Sequence, residues 1–472
     1  MSASDLTAFD QEYGIKSIVE MLGGPGVTQL FVHNVDALGD KAELVATFLD
    51  FEKYAERALV VARPHDMACV FNQVDPDYLQ FLSRLGVGPQ EQNVIVASEK
   101  GPPLAGSGLI NSLIQNDAAL FALQRLVRQG QKIVVNPYMI SAEKFHLARV
   151  LRRILGTSVE IFGGDQRIVE YANHKHHIRA KAIELHIPVA EGEVIDIDRR
   201  AKDPYRLTPL RAAIDRHLGR TGRVIVKGTH GFSGSSLVIV DDDGEKVRSA
   251  LSKIVEKTRN ETYLVEAMLN VTVSPNILMS IEAGDGDISC VGMTDQLLRK
   301  DLAHEGNSYP SKAKTLAAML MAARKMSRWL QTQGYAGLVG LDFGEYINHV
   351  TGQYEYFLVE VNPRTNASVY PKALMEHLNA RQTQEGKPLI AAFLATNVAV
   401  QARSFSSLAQ TLGPLLFNPS AGKGIIPYNT GCLENGKCSV AIFGGSEDDV
   451  TRIYRDCKAM LANEEASRTT EG

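Results

Sequence analysis

Gly340-Leu341-Asp342-Phe343, followed downstream by Glu360-Val361-Asn362-Pro363-Arg364 behind the apolar run from Phe357, decides how this chain is read. Phe357 to Val361 is short, apolar and β-prone, so it predicts a buried strand. Gly337 to Phe343 predicts a second strand, carrying Asp342. Side chains on a strand alternate faces, which puts Glu360 and Asn362 on the same side, one step apart. Two carboxylates and an amide oxygen on adjacent strands form an all-oxygen set suited to Mg²⁺ or Mn²⁺. Arg364 adds a planar cation shaped for a phosphate or carboxylate. A strand end facing water before an Asn-Pro turn would use the same residues. Neighbouring strands would decide the matter, because two like charges about 4 Å apart at an effective dielectric near 20 repel by roughly 4 kcal/mol.

The remaining composition narrows the class. A chain of 472 residues predicts about three domains. Its 44% hydrophobic and 22% charged residues are ordinary for a globular protein. The net charge of −4 gives no sign of nucleic-acid binding, which needs a strongly basic domain. Arg149, Arg152 and Arg153 read as a solvated helix face. The five cysteines, Cys69, Cys290, Cys432, Cys438 and Cys457, have no metal-ligand spacing and read as reduced thiols. The polar, acidic start, Met1 to Tyr13, is neither a signal nor a transit peptide, and no apolar run suits a bilayer. The expectation is a soluble cytoplasmic protein.

Along the first third, strand candidates alternate with helical runs. The strands are Gln29 to Val35, Ala58 to Ala62, Asn93 to Ala97, Lys132 to Val135 and Ser158 to Phe162; the helices include Ala42 to Glu56 and Ala118 to Gln129. This alternation predicts a parallel, doubly wound sheet. Gly23-Gly24-Pro25-Gly26 precedes the first strand, so it reads as a turn and not as a dinucleotide fingerprint. Beyond Asn173 come a hairpin (Gly222 to Lys227, then Leu237 to Val240), strands Tyr263 to Leu269 and Asn276 to Ile281, and a long amphipathic helix, Ser311 to Gln333. Ser311 is placed to cap that helix and Gly334 to end it. Leu389 to Leu461 mixes helix and strand, and the polar tail after Ala462 is expected to be disordered.

The hairpin loop is the second informative segment. In Lys227-Gly228-Thr229-His230-Gly231-Phe232-Ser233-Gly234-Ser235-Ser236, glycines let backbone N–H groups approach an anion, and serine hydroxyls and Lys227 add donors and charge. No Walker A pattern is present. A loose hairpin connection explains the glycines but not the lysine at the strand end. His174, His176 and His177 are adjacent on a helix start, point in different directions and read as solvated residues, not as joint ligands.

Taken together and in order, these segments resemble the ATP-grasp enzymes. The resemblance runs from about residue 165 to 375. It rests on Lys175 before a helix ending at Ile187-Pro188, Lys227 before the glycine-rich hairpin, Glu266 within Tyr263-Leu264-Val265-Glu266-Ala267-Met268-Leu269, and Asp342, Glu360, Asn362 and Arg364. The chain departs from the pattern at His186, where glycine is usual, and in a long insertion, Gly344 to Glu355. Within the superfamily it most resembles pheganomycin-type peptide ligases, on its layout and on Thr294-Asp295-Gln296, Gly306-Asn307-Ser308-Tyr309-Pro310 and Gly424 to Gly431.

The resemblance implies an α/β and α+β protein: a doubly wound, Rossmann-like pre-ATP-grasp domain (1–165), a two-lobed ATP-grasp domain (166–245 with the hairpin, 246–388 with the metal site), and a small C-terminal α+β segment with its tail (389–472). It implies ATP and Mg²⁺ or Mn²⁺ as cofactors. Lys175, Lys227 and the Gly231, Phe232, Ser233, Gly234, Ser235 loop would hold phosphates. Glu266, Ala267 and Leu269 would read adenine, and Asp342, Glu360 and Asn362 would hold the metal. Arg364 and Lys227 are the expected catalytic residues; Asp295, Gln296, Asn307 and Tyr309 are candidate substrate contacts. The implied reaction joins a carboxylate and an amine, small-molecule or peptide, through an acylphosphate, with release of ADP. The alternatives are an ATP-grasp carboxylase or kinase, a thiol ligase, and a non-catalytic ATP-binding protein. Neither nucleic acid nor membrane is an expected partner; the oligomeric state, homo-oligomer included, stays open.

Overall fold

The computed structural model describes residues 9–22, 26–38, 44, 51–98, 108–128, 130–198, 207–229, 237–241, 251 and 261–471. Five short strands open the chain: β1 (Val27–Val32), β2 (Met67–Val70), β3 (Val94–Val96), β4 (Lys132–Pro137) and β5 (Val159–Ile161). They form one sheet in the order β3-β2-β1-β4-β5, every pair parallel. Parallel pairing needs crossover connections, and the helices Pro76–Leu85, Asp117–Leu126 and Ala142–Leu155 supply them. The doubly wound reading holds, with one strand misplaced. Ala58 to Ala62 is not a strand: Phe51–Val60 is a 3₁₀ helix whose apolar side chains are buried, and β2 begins seven residues after it. A short apolar run buried on all sides carries no period, so helix and strand cannot be told apart there. Most of the predicted helix from Ala42, and the Gly23 to Pro25 part of the turn, lie outside the described residues.

A four-stranded antiparallel sheet follows, β6 (Gly192–Asp196), β7 (Arg223–Gly228), β8 (Leu237–Asp241) and β9 (Thr262–Ala267), in the order β6-β9-β7-β8. The helix Thr208–Thr221 covers it, burying Leu210, Ile214 and Leu218 against Val224, Val226 and Val265. The predicted hairpin is β7 and β8; its loop, residues 230–236, lies outside the described residues.

The third sheet has nine antiparallel strands: β10 (Val271–Val273), β11 (Pro275–Ile281), β12 (Ile288–Leu298), β13 (His304–Tyr309), β14 (Gly337–Ile347), β15 (Tyr354–Asn362), β16 (Ala392–Ala399), β17 (Gly424–Pro427) and β18 (Lys437–Gly444). Their order is β10-β14-β11-β12-β13-β16-β18-β17, with β15 also on β14. One face is closed by the helix Leu316–Thr332 through Met319, Ala323, Met326 and Leu330. The other face meets the helix Val369–Glu385 and the first sheet in a shared core containing Phe31, Val70, Leu374, Phe393 and Phe443. The helix starts later than expected, with Thr315 at its N-cap, because the Ser311 hydroxyl donates to Asp295 instead. Gly334, at φ +89°, ends it, its N–H donating to the Gln331 carbonyl at 2.9 Å.

The expected insertion Gly344 to Glu355 is the outer half of the β14–β15 hairpin, paired as far as Ile347 and Tyr354. The tail expected to be disordered is the end of a helix, Glu447–Glu471. Before that polar end, Val450, Ile453, Cys457 and Leu461 form an apolar stripe that packs the helix on β18 and β16. No helix among the described residues is long and apolar enough to cross a membrane. All five cysteines are buried and none is in a disulfide.

Candidate active site

The two strands read first from the sequence are neighbours. β14 and β15 pair antiparallel with Asp342 opposite Glu360 and Gly340 opposite Asn362. The register slips between Asp342 and Phe343, so Val359 is an extra residue on β15. That bulge lets consecutive residues, Val359 and Glu360, face the same cavity, which strict alternation forbids. Amides hold the acids in place. Asn276 on β11 donates to Asp342 Oδ1 at 2.5 Å, and Asn362 donates to Asp342 Oδ2 at 2.8 Å and to Glu360 Oε1 at 3.3 Å. Asn276 in turn accepts from Asn366 at 3.2 Å and Ser368 at 3.1 Å. Gly340 sits beneath this crossing, where a Cβ would lie 2.2 Å from the Asn366 amide nitrogen.

Lys175 Nζ lies 3.2 Å from Glu360. Burial, then the Glu360 charge, push the Asp342 carboxyl upward. Burial also works to raise Glu360, but the Lys175 and Arg364 cations outweigh it and hold that carboxyl down. Of the two acids only Glu360 is in ion-pair contact with a cation, Lys175, and the donor set is two carboxylates beside an amide whose nitrogen donates to both. It fits a hard divalent cation, which would supply the missing charge. Among the described residues no group of three His, Cys, Asp or Glu could hold a metal, and this set has two such residues, Asp342 and Glu360.

A second charge cluster has the opposite balance. Glu266, buried on β9, is engaged by Lys227 Nζ at 2.8 Å on one oxygen and by Arg179 Nη1 at 2.6 Å on the other. Arg179 also donates to the carbonyls of Ala190 at 2.7 Å and Gly192 at 3.1 Å. Gly192 lies opposite Glu266 on β6, and a Cβ there would sit 2.4 Å from the Val265 carbonyl oxygen. Both oxygens of Glu266, expected to read adenine, are therefore held by cations. Next along the chain, the Ala267 N–H donates to Glu191 at 2.8 Å and the Met268 N–H to Arg223 at 3.1 Å.

One helix serves both clusters. Lys175 and Arg179 stand four residues apart at the start of Lys175–Glu184, hence on one face, and each reaches a different acid. The Lys175 N–H donates to the Thr229 carbonyl at 3.0 Å, just past β7. The Ile187-Pro188 turn after the helix is tied to β15, where the Leu358 N–H donates to Pro188 at 2.8 Å. His186 adopts φ +53°, the left-handed backbone that makes glycine usual at that position. The three nearby histidine rings cluster, with centroids 4.0–5.7 Å apart, instead of splaying into solvent.

The clusters line one 380 Å³ cavity between the four-stranded and nine-stranded sheets. It includes Lys175, Lys227, Glu266, Ala267, Leu269, Gln296, Asp342 and Glu360, with an apolar wall of Ile225, Leu237 and Met268. Asn362 lies behind the acids. Gly231, Phe232, Ser233, Gly234 and Ser235 are outside the described residues.

The four candidate substrate residues separate. Gln296 lines this cavity, and Asn307, its partner across β12 and β13, lines a second one with Arg364. Asp295 and Tyr309 line neither. Asp295 accepts from the Ser311 hydroxyl and from the Lys312 N–H at 2.7 Å, and Tyr309 bonds Asp10 and stacks on Phe393 at 5.5 Å. Strand alternation alone separates Asp295 from Gln296. Arg179, Asn276, His304 and Arg57 were not singled out from the sequence. For Arg179 a signal existed, its four-residue spacing from Lys175; for Asn276 the partner, Asp342, lies 66 residues away.

Comparison with known proteins matches the pre-ATP-grasp domain family to residues 55–152. Comparison with curated proteins gives no match. Among solved structures, biotin carboxylase from Campylobacter jejuni, in complex with a β,γ-ATP compound, superposes with a TM-score of 0.54 at 13% identity, over 90% of this chain and 89% of that one. N5-carboxyaminoimidazole synthetase from Staphylococcus aureus with ADP gives 0.50 at 12% identity over 92% and 96%. Carboxyaminoimidazole ribonucleotide synthase from Aspergillus clavatus with ATP gives 0.50 at 13% over 93% and 99%. Parallel first sheet, four-stranded sheet and nine-stranded sheet together give this chain the ATP-grasp fold, opened by a pre-ATP-grasp domain.

Proposed function

We propose that this protein is an ATP-dependent carboxylate–amine ligase that makes an amide bond through an acylphosphate. The observation that carries the reading is the opposed charge balance at two ends of one cavity. Glu266 with Lys227 and Arg179 leaves a positive surplus; at the other end Asp342 and Glu360 face each other with one cation, Lys175, in contact and Arg364 farther off. A nucleotide triphosphate with a divalent cation complements both at once.

In this reading Lys227 and Lys175 bind phosphate oxygens, and Lys175 shifts from Glu360 to do so. Glu266 positions Lys227 and Arg179. The apolar wall of Ile225, Leu237 and Met268 receives the base. With the Ala267 and Met268 N–H groups engaged, Leu269 is the hinge amide left for the adenine edge. Asp342, Glu360 and Asn362 would hold Mg²⁺ or Mn²⁺, which would supply positive charge against the phosphates. A substrate carboxylate attacks the γ-phosphorus, the bond to the β,γ-bridging oxygen breaks, and ADP leaves. The amine then attacks the acyl carbon, loses a proton, and phosphate departs. Arg364 stabilises the charge that develops on the carbonyl oxygen; removing one such preorganised donor costs about 10²–10³ in rate. Arg364→Met is therefore expected to fold and to lose at least that much turnover.

The test is ADP release from Mg-ATP with pooled carboxylic acids, amino acids and peptides, followed by mass spectrometry of the product. An amide product with stoichiometric ADP is expected. AMP as the nucleotide product overturns the acylphosphate route, and a carboxylated product made from bicarbonate assigns the site to carboxylation instead.

A further inference from the structure

Beside the nucleotide cavity lies a smaller one of 120 Å³, walled by the first sheet's connections, the nine-stranded sheet and its C-terminal strands. Two guanidinium groups face it. Arg57 comes from the 3₁₀ helix Phe51–Val60, its Cζ 3.9 Å from the centre of the Tyr54 ring and 5.6 Å from that of Tyr370. Arg364 comes from the turn after β15, where its Nη1 reaches Asn173 at 3.4 Å. The Nε of each is buried without a hydrogen-bond partner, and among the described residues neither arginine has a carboxylate within ion-pair distance. The one acid at the cavity, Glu305, is exposed at its edge. Both arginines are half-buried, and Glu360 acts on Arg364 only from beyond ion-pair contact, so the two guanidinium groups leave the cavity a positive charge that a bound anion would match.

We propose that this cavity is a carboxylate-binding site, with Arg57 as the anchoring cation, and that it seats the acid substrate. The site's fate in catalysis rests on the ligase reading; its anion binding does not. The planar forks of Arg57 and Arg364 match a carboxylate, and the small volume selects a compact acid. Asn307, Asn397 and Ser439 add neutral polar groups, and the Ser439 hydroxyl already donates to Asn397 at 2.8 Å. His304 lines both cavities, with its Nε2 3.4 Å from Asn307 Oδ1, so a bound acid sits one side chain from the Asp342–Glu360 end of the nucleotide cavity. The pre-ATP-grasp domain thereby contributes a substrate contact, and acid and nucleotide meet across its junction with the nine-stranded sheet.

Calorimetric titration of the full chain with malonate, its uncharged analogue malonamide, and inorganic phosphate tests this without nucleotide. Malonate is expected to bind at millimolar concentration or tighter and malonamide not at all. Arg57→Gln is expected to weaken malonate by about tenfold or more while Mg-ATP binding is unchanged. Asn397→Asp, which puts a negative charge into the cavity without removing an arginine, is expected to do the same should Arg57→Gln not fold. Equal binding of malonate and malonamide, tighter binding of phosphate than malonate, or unchanged malonate binding in both variants overturns the proposal. Anion binding that depends on Arg57, with no ADP release from any substrate pool, would sink the ligase reading and leave this site standing. Acid-dependent ADP release with the same KM for the acid in Arg57→Gln would do the reverse.

Discussion

The Glu266 cluster and the Asp342–Glu360 cluster use the same chemistry in opposite proportion. In the first, one buried acid is held by two cations at 2.8 and 2.6 Å, and nothing of the acid is left over. In the second, two acids face each other across a strand pair and only one of them, Glu360, has a lysine in contact, at 3.2 Å. The first is a closed ion-pair network whose positive surplus points outward. The second is frustrated by itself and relieved by an added cation. What differs is who supplies the counter-charge: the chain at Glu266 and, on the proposed reading, a ligand at Asp342. The helix Lys175–Glu184 touches both, giving Arg179 to one and Lys175 to the other.

The comparison breaks most directly at Glu266. Glu266→Gln leaves Lys227 and Arg179 buried without an acid, and breaking such a pair costs about 3–5 kcal/mol. Glu360→Gln removes one of two repelling acids and frees only a half-buried lysine contact, so its cost is under about 1 kcal/mol. Urea denaturation of the two variants separates the cases, and equal losses would mean that the clusters are energetically alike.

Asp295 shows what a buried acid does with no cation in contact. Burial, the largest influence, lifts its carboxyl to about 6 against the Ser311 and Lys312 hydrogen bonds. The folded protein then binds a proton more tightly than the unfolded chain, so the stabilisation is complete below the ordinary value of 3.8 and is lost as pH rises through about 6. The difference in stability between the wild type and Asp295→Asn should shift by up to about 3 kcal/mol across that window. A flat difference between pH values below and above it would show that hydrogen bonds alone balance the burial. Asn276→Ala probes the amides that tolerate the second cluster: leaving Asp342 Oδ1 without its donor should cost about 1–2 kcal/mol in denaturation. If added Mg²⁺ restores that loss, the acids do accept an external cation.

The two clusters were unequally legible in the sequence. The second could be read because its acids sit on adjacent, clearly patterned strands; the hairpin pairing that brings Asp342 opposite Glu360 is a short-range event. Its bulge at Val359 and its Asn276 donor could not, since the first depends on local register and the second comes from a strand 66 residues away. The first cluster was half visible. Lys227 and Glu266 stand out by position, but the resemblance assigns Glu266 to adenine, and its partner Arg179 lies 87 residues away. The doubly wound sheet was readable from alternation, whereas Arg57 stayed hidden in a segment whose apolar neighbours, Ala58 to Ala62, imitate a strand. Buried on every side, that segment has no polar face to fix its period.

The smallest expected effect concerns the element that joins the clusters. His186, directly after the Lys175–Glu184 helix and its Leu185 cap, holds φ +53°, where an L side chain costs about 1 kcal/mol and glycine does not. Glycine also gains freedom in the unfolded chain, worth about 0.5–1 kcal/mol against it. His186→Gly should therefore change stability by no more than about 0.5 kcal/mol in either direction. His186→Val, β-branched at the same φ, should lose more than His186→Gly in the same denaturation series. Neither change touches Lys175 or Arg179, so Mg-ATP binding should be the same in both variants. Weaker binding in His186→Val alone would mean that the helix end sets where the two cations stand, making the clusters one mechanical unit and not two independent charge sites.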